Sequence, residues 1–582
     1  MNLNDWIKNL FPLFEQRNWK AILQGSSSPF SSNSSERLAS LLEESIEICG
    51  IADHLPHFLP IILSSGTPET ALTQFIDFSV AFQNKFSSNF NWSRPNIEAF
   101  LYIFGRSNFL ANRLKRNPQL AVELLESPFL LRKKDLEVME KELRKRLDQL
   151  TGFSLPEFKN ILRRYKYEEY LRITVRDLAH LCPFKETLEE LSSIAICCLR
   201  AALSGITNHE LGITDFLTNG NIPDTTRETS CKSFSSQSES HQQLYPFMIL
   251  AMGKLGGNEL NYSSDVDLMF IHDNEPLSGD PDHDYKLRMK AARILIDVMA
   301  DVTVEGFLER MDMRLRPGGE RAPLVQSLDE MELYYTASGE MWERQALIKA
   351  VPVAGTTQSG KDFISMITPF VYRRLLDEGV LRDVEKVKER IEEEHLRESY
   401  LNVKLGKGGI REIEFFVQTF QLLYGGEKPE LRIPGTLQVL EKLRQAELIP
   451  RRDADILEES YLFLRRVEHH LQLREEQQTH TLPSEVELQQ EVARNLGYSE
   501  FDIEKARQLF LSDLKDVMGR VRAIFSGLFS RKHLEIEAAI RSSARVQSFT
   551  EDEKQFIESF SQQLAPLMNE STKNRFQRLF ES

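Results

Sequence analysis

At 582 residues the chain is too long for one hydrophobic core, and its length implies three or four domains. Lys+Arg 72 against Asp+Glu 87 leaves a formal net charge of -15, which argues against broad nucleic-acid affinity through phosphate neutralisation and hence against a polymerase. The five cysteines (Cys49, Cys182, Cys197, Cys198 and Cys231) form no C-x-x-C pair, and their odd number suits a reducing compartment. No basic start followed by an apolar signal core is present, and Phe58 to Leu63 is too short to span a bilayer, so the expected location is the cytoplasm.

Residues 1–224 read as an N-terminal helical region, with apolar residues near i, i+3, i+4 and i+7 over Arg37 to Cys49, Asn96 to Phe104, Leu136 to Leu150 and Leu188 to Leu203. Residues 225–243 change character to a Ser-rich, polar stretch nearly free of aliphatics, expected to be a mobile linker or loop. A mixed segment follows over 244–355. Tyr245 to Met252 reads as a buried strand and runs into Gly253, Gly256 and Gly257, where a backbone without side chains suits close approach of a phosphate. In the next strand Val266, Leu268 and Phe270 share one face and Asp265 and Asp267 the other. Tyr285 to Val304 has helical spacing, and Arg310 to Arg316 alternates so that Arg310, Asp312, Arg314 and Arg316 fall on one strand face. Helical periodicity then returns, giving a C-terminal helical bundle over 356–530 and a helical tail over 531–582.

Neighbouring carboxylates repel unless a cation neutralises them, so Asp265 and Asp267, joined by Asp312 on an adjacent strand, suit Mg²⁺, with two ions bridging a nucleotide's phosphates. Two other Asp-x-Asp strings, Asp280-Pro281-Asp282 and Asp453-Ala454-Asp455, lack a preceding buried strand and glycine turn and are read as decoys. Arg314 and Arg316 are candidates for a phosphate, against the alternative of a structural salt bridge with the nearby acids. Lys254 is either a phosphate contact or an ordinary solvated lysine. Gly406 to Gly409 reads as a turn feeding a helix, in which Glu412 and Glu414 suit the helix dipole. His469 and His470, adjacent on a helix, cannot share a face and are read as packed or solvated rather than metal-bound.

The strand, Gly-Gly turn, Asp-x-Asp strand and later third acid resemble nucleotidyltransferases of the polymerase-beta type, although only seven residues separate Gly257 from Asp265. The strings GKLGGNELNYSSDVDLMF, MDMRLRPGGERAPLVQSL, YYTASGEMWERQALIKA, KLGKGGIREIEFFVQTFQLLYGG and YLFLRRVEHHLQLREEQQTHTLPSE are more specific. Together they resemble the bifunctional glutamine synthetase adenylyltransferase/adenylyl-removing family over roughly residues 97 to 525. The resemblance implies an α+β, predominantly α fold: a polymerase-beta-like domain with a small mixed sheet between helical domains. It also implies catalytic and metal-binding Asp265, Asp267 and Asp312, with nucleotide or phosphate contacts from Gly256, Gly257, Ser264, Lys254, Arg314 and Arg316. Arg411 and Glu412 would then be further cleft residues, as an alternative to a purely helical role.

Family members usually carry two nucleotidyltransferase halves, one adding AMP to a tyrosine of glutamine synthetase and one removing it by phosphorolysis, whereas this sequence shows one. The GGIREIEF and YLFLRR strings are more like the removing half. The resemblance therefore implies ATP, or ADP and phosphate, as substrates, glutamine synthetase as protein substrate, and a PII-type signal protein as a further partner. The alternative is a catalytically dormant helical module that docks on glutamine synthetase or a PII-type protein. Neither reading involves nucleic acid or a membrane.

Overall fold

The computed structural model describes residue 23 and residues 32–150, 152–210, 245–273, 275–373, 386–389, 393 and 401–544, without the side chains of 32, 209, 210 and 528–544. The Ser-rich stretch 225–243 and the tail beyond 544 lie outside the described residues. The described residues up to Phe525 form one compact unit and those from Ser526 a second.

The fold is predominantly helical with one small mixed sheet, as expected from the sequence. Its strands are β1 (Met248–Ala251), β2 (Asp265–His272), β3 (Arg310–Asp312), β4 (Val325–Ser327) and β5 (Val351–Ala354). They run in the order β3-β2-β1-β5, with β4 also on β2. β1 is antiparallel to β2 and β5, while β3 and β4 lie parallel to the two ends of β2. A parallel neighbour requires a crossover, and α3 (Pro281–Ala300) supplies it between β2 and β3. This helix starts four residues before the expected Tyr285 because Asp280 caps it, accepting from the Asp282 amide at 3.1 Å, and Pro281 opens its first turn. Asp453 and Asp455 likewise sit in the first turns of a helix, so both decoy strings belong to helix starts.

Alternation along β2 decides what each face meets. Val266, Leu268 and Phe270 are at most 1% exposed and join the core formed with the helices before the sheet, including α1 (Leu155–Leu178) and α2 (Phe184–Gly205). Each such burial contributes about 1.5–3 kcal/mol before entropy is counted. On the opposite face Met269 and Ile271 pack with Met331, Tyr335, Phe363 and Ile367, leaving the start of that face to Asp265 and Asp267. Over Phe184–Asn208 the helix is long and apolar enough to cross a membrane, yet 72% of that window is buried inside the protein. It is a core helix.

After the sheet come α4 (Ile410–Tyr424), α5 (Arg451–Leu473) and α6 (Ile503–Ala544). One expectation fails between sheet and helices: the strand read over Arg310 to Arg316 ends at Asp312. The Asp312 carboxylate accepts from the Arg314 amide at 2.8 Å and turns the chain, and Gly318 and Gly319 at φ 78° and 58° complete the reversal. Arg314 and Arg316 thus do not share the Asp312 face by strand alternation.

Candidate active site

The register of β2 and β3 brings the expected acids together, with Asp267 opposite Asp312 and Asp265 opposite Arg310. The glycine turn closes on them from β1. Gly253 has φ +52°, and a Cβ there would lie 2.2 Å from Oδ2 of Asp267, so the Asp267 carboxylate rests against bare backbone. Gly256 has a different reason to be glycine: a Cβ would meet the Lys349 carbonyl oxygen at 1.8 Å, which is packing against the segment entering β5. At Gly257 a Cβ would stand 3.1 Å from Oε2 of Glu259. Ser264, just before β2, is buried with its Oγ unpartnered among the described residues.

The three carboxylates are not equivalent. Asp265 accepts from Nε of Arg310 at 3.0 Å and from Gln478 at 3.3 Å. Asp312 is gripped by Arg314, with Nη2 2.6 Å from Oδ2, and this hydrogen bonding holds its pKa below the usual carboxylate range. The Asp267 carboxylate makes no hydrogen bond or ion pair among the described residues, while its backbone carbonyl accepts from the Met252 amide at 2.9 Å. Burial, then the charges of Asp312 and Asp265, push its pKa up to about 6, against the opposing pull of Lys404 and Lys254. A carboxyl in that position takes up positive charge readily, and the donor set, all carboxylate oxygen, is that of a hard divalent cation. Among the described residues no group of three His, Cys, Asp or Glu converges closely enough to hold a metal ion as it stands. Arg310 and Arg314 engage Asp265 and Asp312 as ion pairs.

The remaining candidates separate by what they touch. Arg314 is largely solvent-exposed apart from its grip on Asp312. Arg316 is buried and donates to the backbone carbonyls of Met313, Glu320, Ala322 and Pro323, pinning the turn after β3 rather than facing the acids. Lys254 is buried rather than solvated, with Nζ 3.0 Å from Oε1 of Glu468; burial outweighs that partner and lowers its pKa to about 8. Glu412 is fully buried and accepts from Arg522 of α6 at 2.9 Å, so it joins two helices. Glu414 instead pairs with Lys349, just before β5, at 3.1 Å. His469 is buried against Asn261 at 3.1 Å and between the rings of Phe184 and Tyr262, as a packed histidine.

Three residues near the acids escaped the sequence reading as members of the site: Arg310, Glu468 and Lys404. Arg310 was legible as a neighbour on the Asp312 face. Glu468 and Lys404 lie more than 130 positions from Asp265, and only the fold pairs Glu468 with Lys254 and brings Lys404 near Asp267.

Residues 97–366 match the family model described as glutamate-ammonia ligase adenylyltransferase, and residues 385–529 that described as GlnD PII-uridylyltransferase. The chain is similar to the bifunctional glutamine synthetase adenylyltransferase/adenylyl-removing enzyme of Nitrosococcus oceani, 36% identical over 463 residues, which are 77% of this chain and 44% of that protein. The enzyme of the same name from Thioalkalivibrio sulfidiphilus is 35% identical over 76% of this chain and 43% of its own length. That from Shewanella loihica is 37% identical over 66% and 38%. The chain thus matches less than half the length of these relatives.

Proposed function

We propose, from the match of residues 97–366 to the glutamate-ammonia ligase adenylyltransferase family, that the chain is a Mg²⁺-dependent nucleotidyltransferase acting on glutamine synthetase. The favoured direction is removal of AMP from a regulatory tyrosine, with addition as the reverse. The observation that carries the proposal is the pairing of Asp267 with Asp312 across β2 and β3, beside Asp265 and against the bare backbone of Gly253.

In the removing direction an oxygen of inorganic phosphate attacks the AMP phosphorus, the bond from phosphorus to the tyrosyl oxygen breaks, and ADP and free tyrosine result. In the adding direction the tyrosyl oxygen attacks the α-phosphorus of ATP and pyrophosphate leaves. Such chemistry is mostly positioning and charge stabilisation. Mg²⁺, as two ions, would supply the charge that balances the carboxylates and the transferring phosphoryl group. Asp265, Asp267 and Asp312 would hold it, which requires Arg310 and Arg314 to loosen their grip and frees those guanidiniums for phosphate. Gly253 lets Asp267 sit tight to the backbone. The similarity of GGIREIEF and YLFLRR to the removing half supports the direction. The match of residues 385–529 to a family named for PII supports a PII-type signal protein as a further partner.

The test is direct. The full chain is incubated with Mg²⁺ and either adenylylated glutamine synthetase plus phosphate or unmodified glutamine synthetase plus ATP, and AMP transfer is followed by the mass of the synthetase subunit. Release of ADP in the first mixture is expected. Transfer only in the second overturns the direction, and transfer in neither overturns the enzyme reading in favour of a docking module.

A further inference from the structure

Arg316 is committed to carbonyls and Arg310 and Arg314 engage the acids, which leaves Lys404 as a further cation beside the site. Its position follows from a chain of contacts. Leu401 to Val403 pair with the 480–482 segment: the Val403 amide donates to the His480 carbonyl and the Leu482 amide to the Leu401 carbonyl, both at 2.9 Å. His480 lies 2.8 Å from Oε1 of Glu468, and Glu468 lies 3.0 Å from Nζ of Lys254 in the glycine turn. Just before this segment, Gln478 reaches Asp265. The strip carrying Lys404 is therefore fastened beside the acids from the helical side. Its backbone is held as well: Asn402 caps the amides of Lys404 and Leu405 at 3.1 and 2.8 Å, and the Lys404 carbonyl accepts from the Arg411 backbone amide at 3.1 Å. Gly408 at φ +77° and Gly409 let the loop close, since a Cβ on Gly409 would meet the Lys404 carbonyl at 2.8 Å.

The Lys404 side chain, unlike its backbone, makes no hydrogen bond or ion pair among the described residues. Its ammonium is felt electrostatically by Asp267, by Glu414 and, as a repulsion, by Lys254. Lys254 is paired with Glu468, so Lys404 is the ammonium beside Asp267 that has no partner of its own among the described residues and can take an anion.

We propose that Lys404 is the protein's own cation for a phosphate group in this cleft, its ammonium holding a non-bridging phosphate oxygen next to the carboxylates on β2 and β3. This rests on the nucleotidyltransferase reading and adds the group that binds the phosphate. Lysine suits the role because a compact ammonium on a flexible stem follows an oxygen whose position changes during transfer. The phosphate is borne by a nucleotide or is free, as phosphate or pyrophosphate.

The test is calorimetric titration of the full chain and of Lys404→Gln and Lys404→Arg with AMP, ADP and pyrophosphate, each with EDTA and with Mg²⁺. Equal melting temperatures show that the backbone scaffold survives. Lys404→Gln is expected to weaken at least one probe roughly tenfold, the loss of one charge-assisted hydrogen bond, while Lys404→Arg stays within about threefold of wild type. Weakening of ADP and pyrophosphate but not AMP places the contact beyond the α-phosphate; equal weakening of ADP and AMP places it on the α-phosphate. Binding by Lys404→Gln that matches wild type for every probe overturns the inference, while wild-type transfer of AMP would leave the enzyme reading standing. A wild-type chain that neither transfers AMP nor binds any probe overturns both.

Discussion

Asp267 differs from its neighbours because it alone among the three acids lacks a guanidinium partner, and burial has already made its ionised form costly. Asp267→Asn is expected to lower AMP transfer at least roughly a hundredfold, since charge stabilisation at the metal is lost. Its melting temperature without Mg²⁺ should match or exceed wild type, because one of the repelling charges is gone; a melting temperature well below wild type would recast Asp267 as structural. A similar conflict occurs at Asp177 on α1, which accepts from the Tyr262 hydroxyl at 3.1 Å while burial raises its pKa to about 6. A carboxyl with a raised folded-state pKa favours the fold below its unfolded value near 4, and that contribution is lost as pH rises through about 6. Asp177→Asn retains an acceptor for Tyr262 and removes the charge. It is expected to be more stable than wild type by about 1–2 kcal/mol at pH 7–8 and equal to it below about pH 4, as read by urea unfolding across pH.

Among elements, the short strand β3 and the glycine turn do the positioning. Three residues of β3 suffice because the parallel register, fixed by the α3 crossover, sets Asp312 opposite Asp267. The glycine turn tolerates side chains unequally. Gly253→Ala would place its Cβ within 2.2 Å of the Asp267 carboxylate, so activity should fall at least tenfold by displacement of that group. Gly256→Ala would drive a Cβ into backbone at 1.8 Å, and there stability itself should fall, by more than about 3 kcal/mol. Gly497, at φ +94° with nothing within 4 Å of its Cβ position, is the control; alanine there should cost about 1 kcal/mol of backbone strain alone. Equal losses at Gly256 and Gly497 in denaturant unfolding would refute the packing account.

Across the molecule, a buried polar network joins the sheet to the helices that follow it. Glu259, just after the glycine turn, accepts from the Thr436 amide at 2.5 Å, from Tyr461 at 3.1 Å and from Lys349 at 3.2 Å. Arg465 of α5 donates to Asn261 and to the Glu259 carbonyl, each at 2.5 Å. With the pair of Lys254 and Glu468, the turn is held from one side by its own sheet and from the other by α5. Breaking such a pair leaves a buried charge uncompensated. Glu468→Leu is therefore expected to cost about 3–5 kcal/mol, and adding Lys254→Met should recover much of it. Additive losses in a double-mutant cycle would show that the two side chains do not act as a pair.

The acids on β2 were legible from the sequence because strand alternation has a period of two: once Val266, Leu268 and Phe270 are core, Asp265 and Asp267 must share the other face. Asp312 was legible as a third acid on a strand, and the helical character of the flanking regions followed from apolar periodicity. Lys254 and Arg316 were not legible in this way, because whether a charged side chain faces solvent, a phosphate or a row of carbonyls depends on what packs against it. The approach of Lys404 to Asp267 and the pairing of Glu468 with Lys254 were beyond local pattern for the same reason. These contacts join residues more than 130 positions apart, and they exist only once α4 and α5 close on the glycine turn, where desolvation makes each buried charge seek a partner.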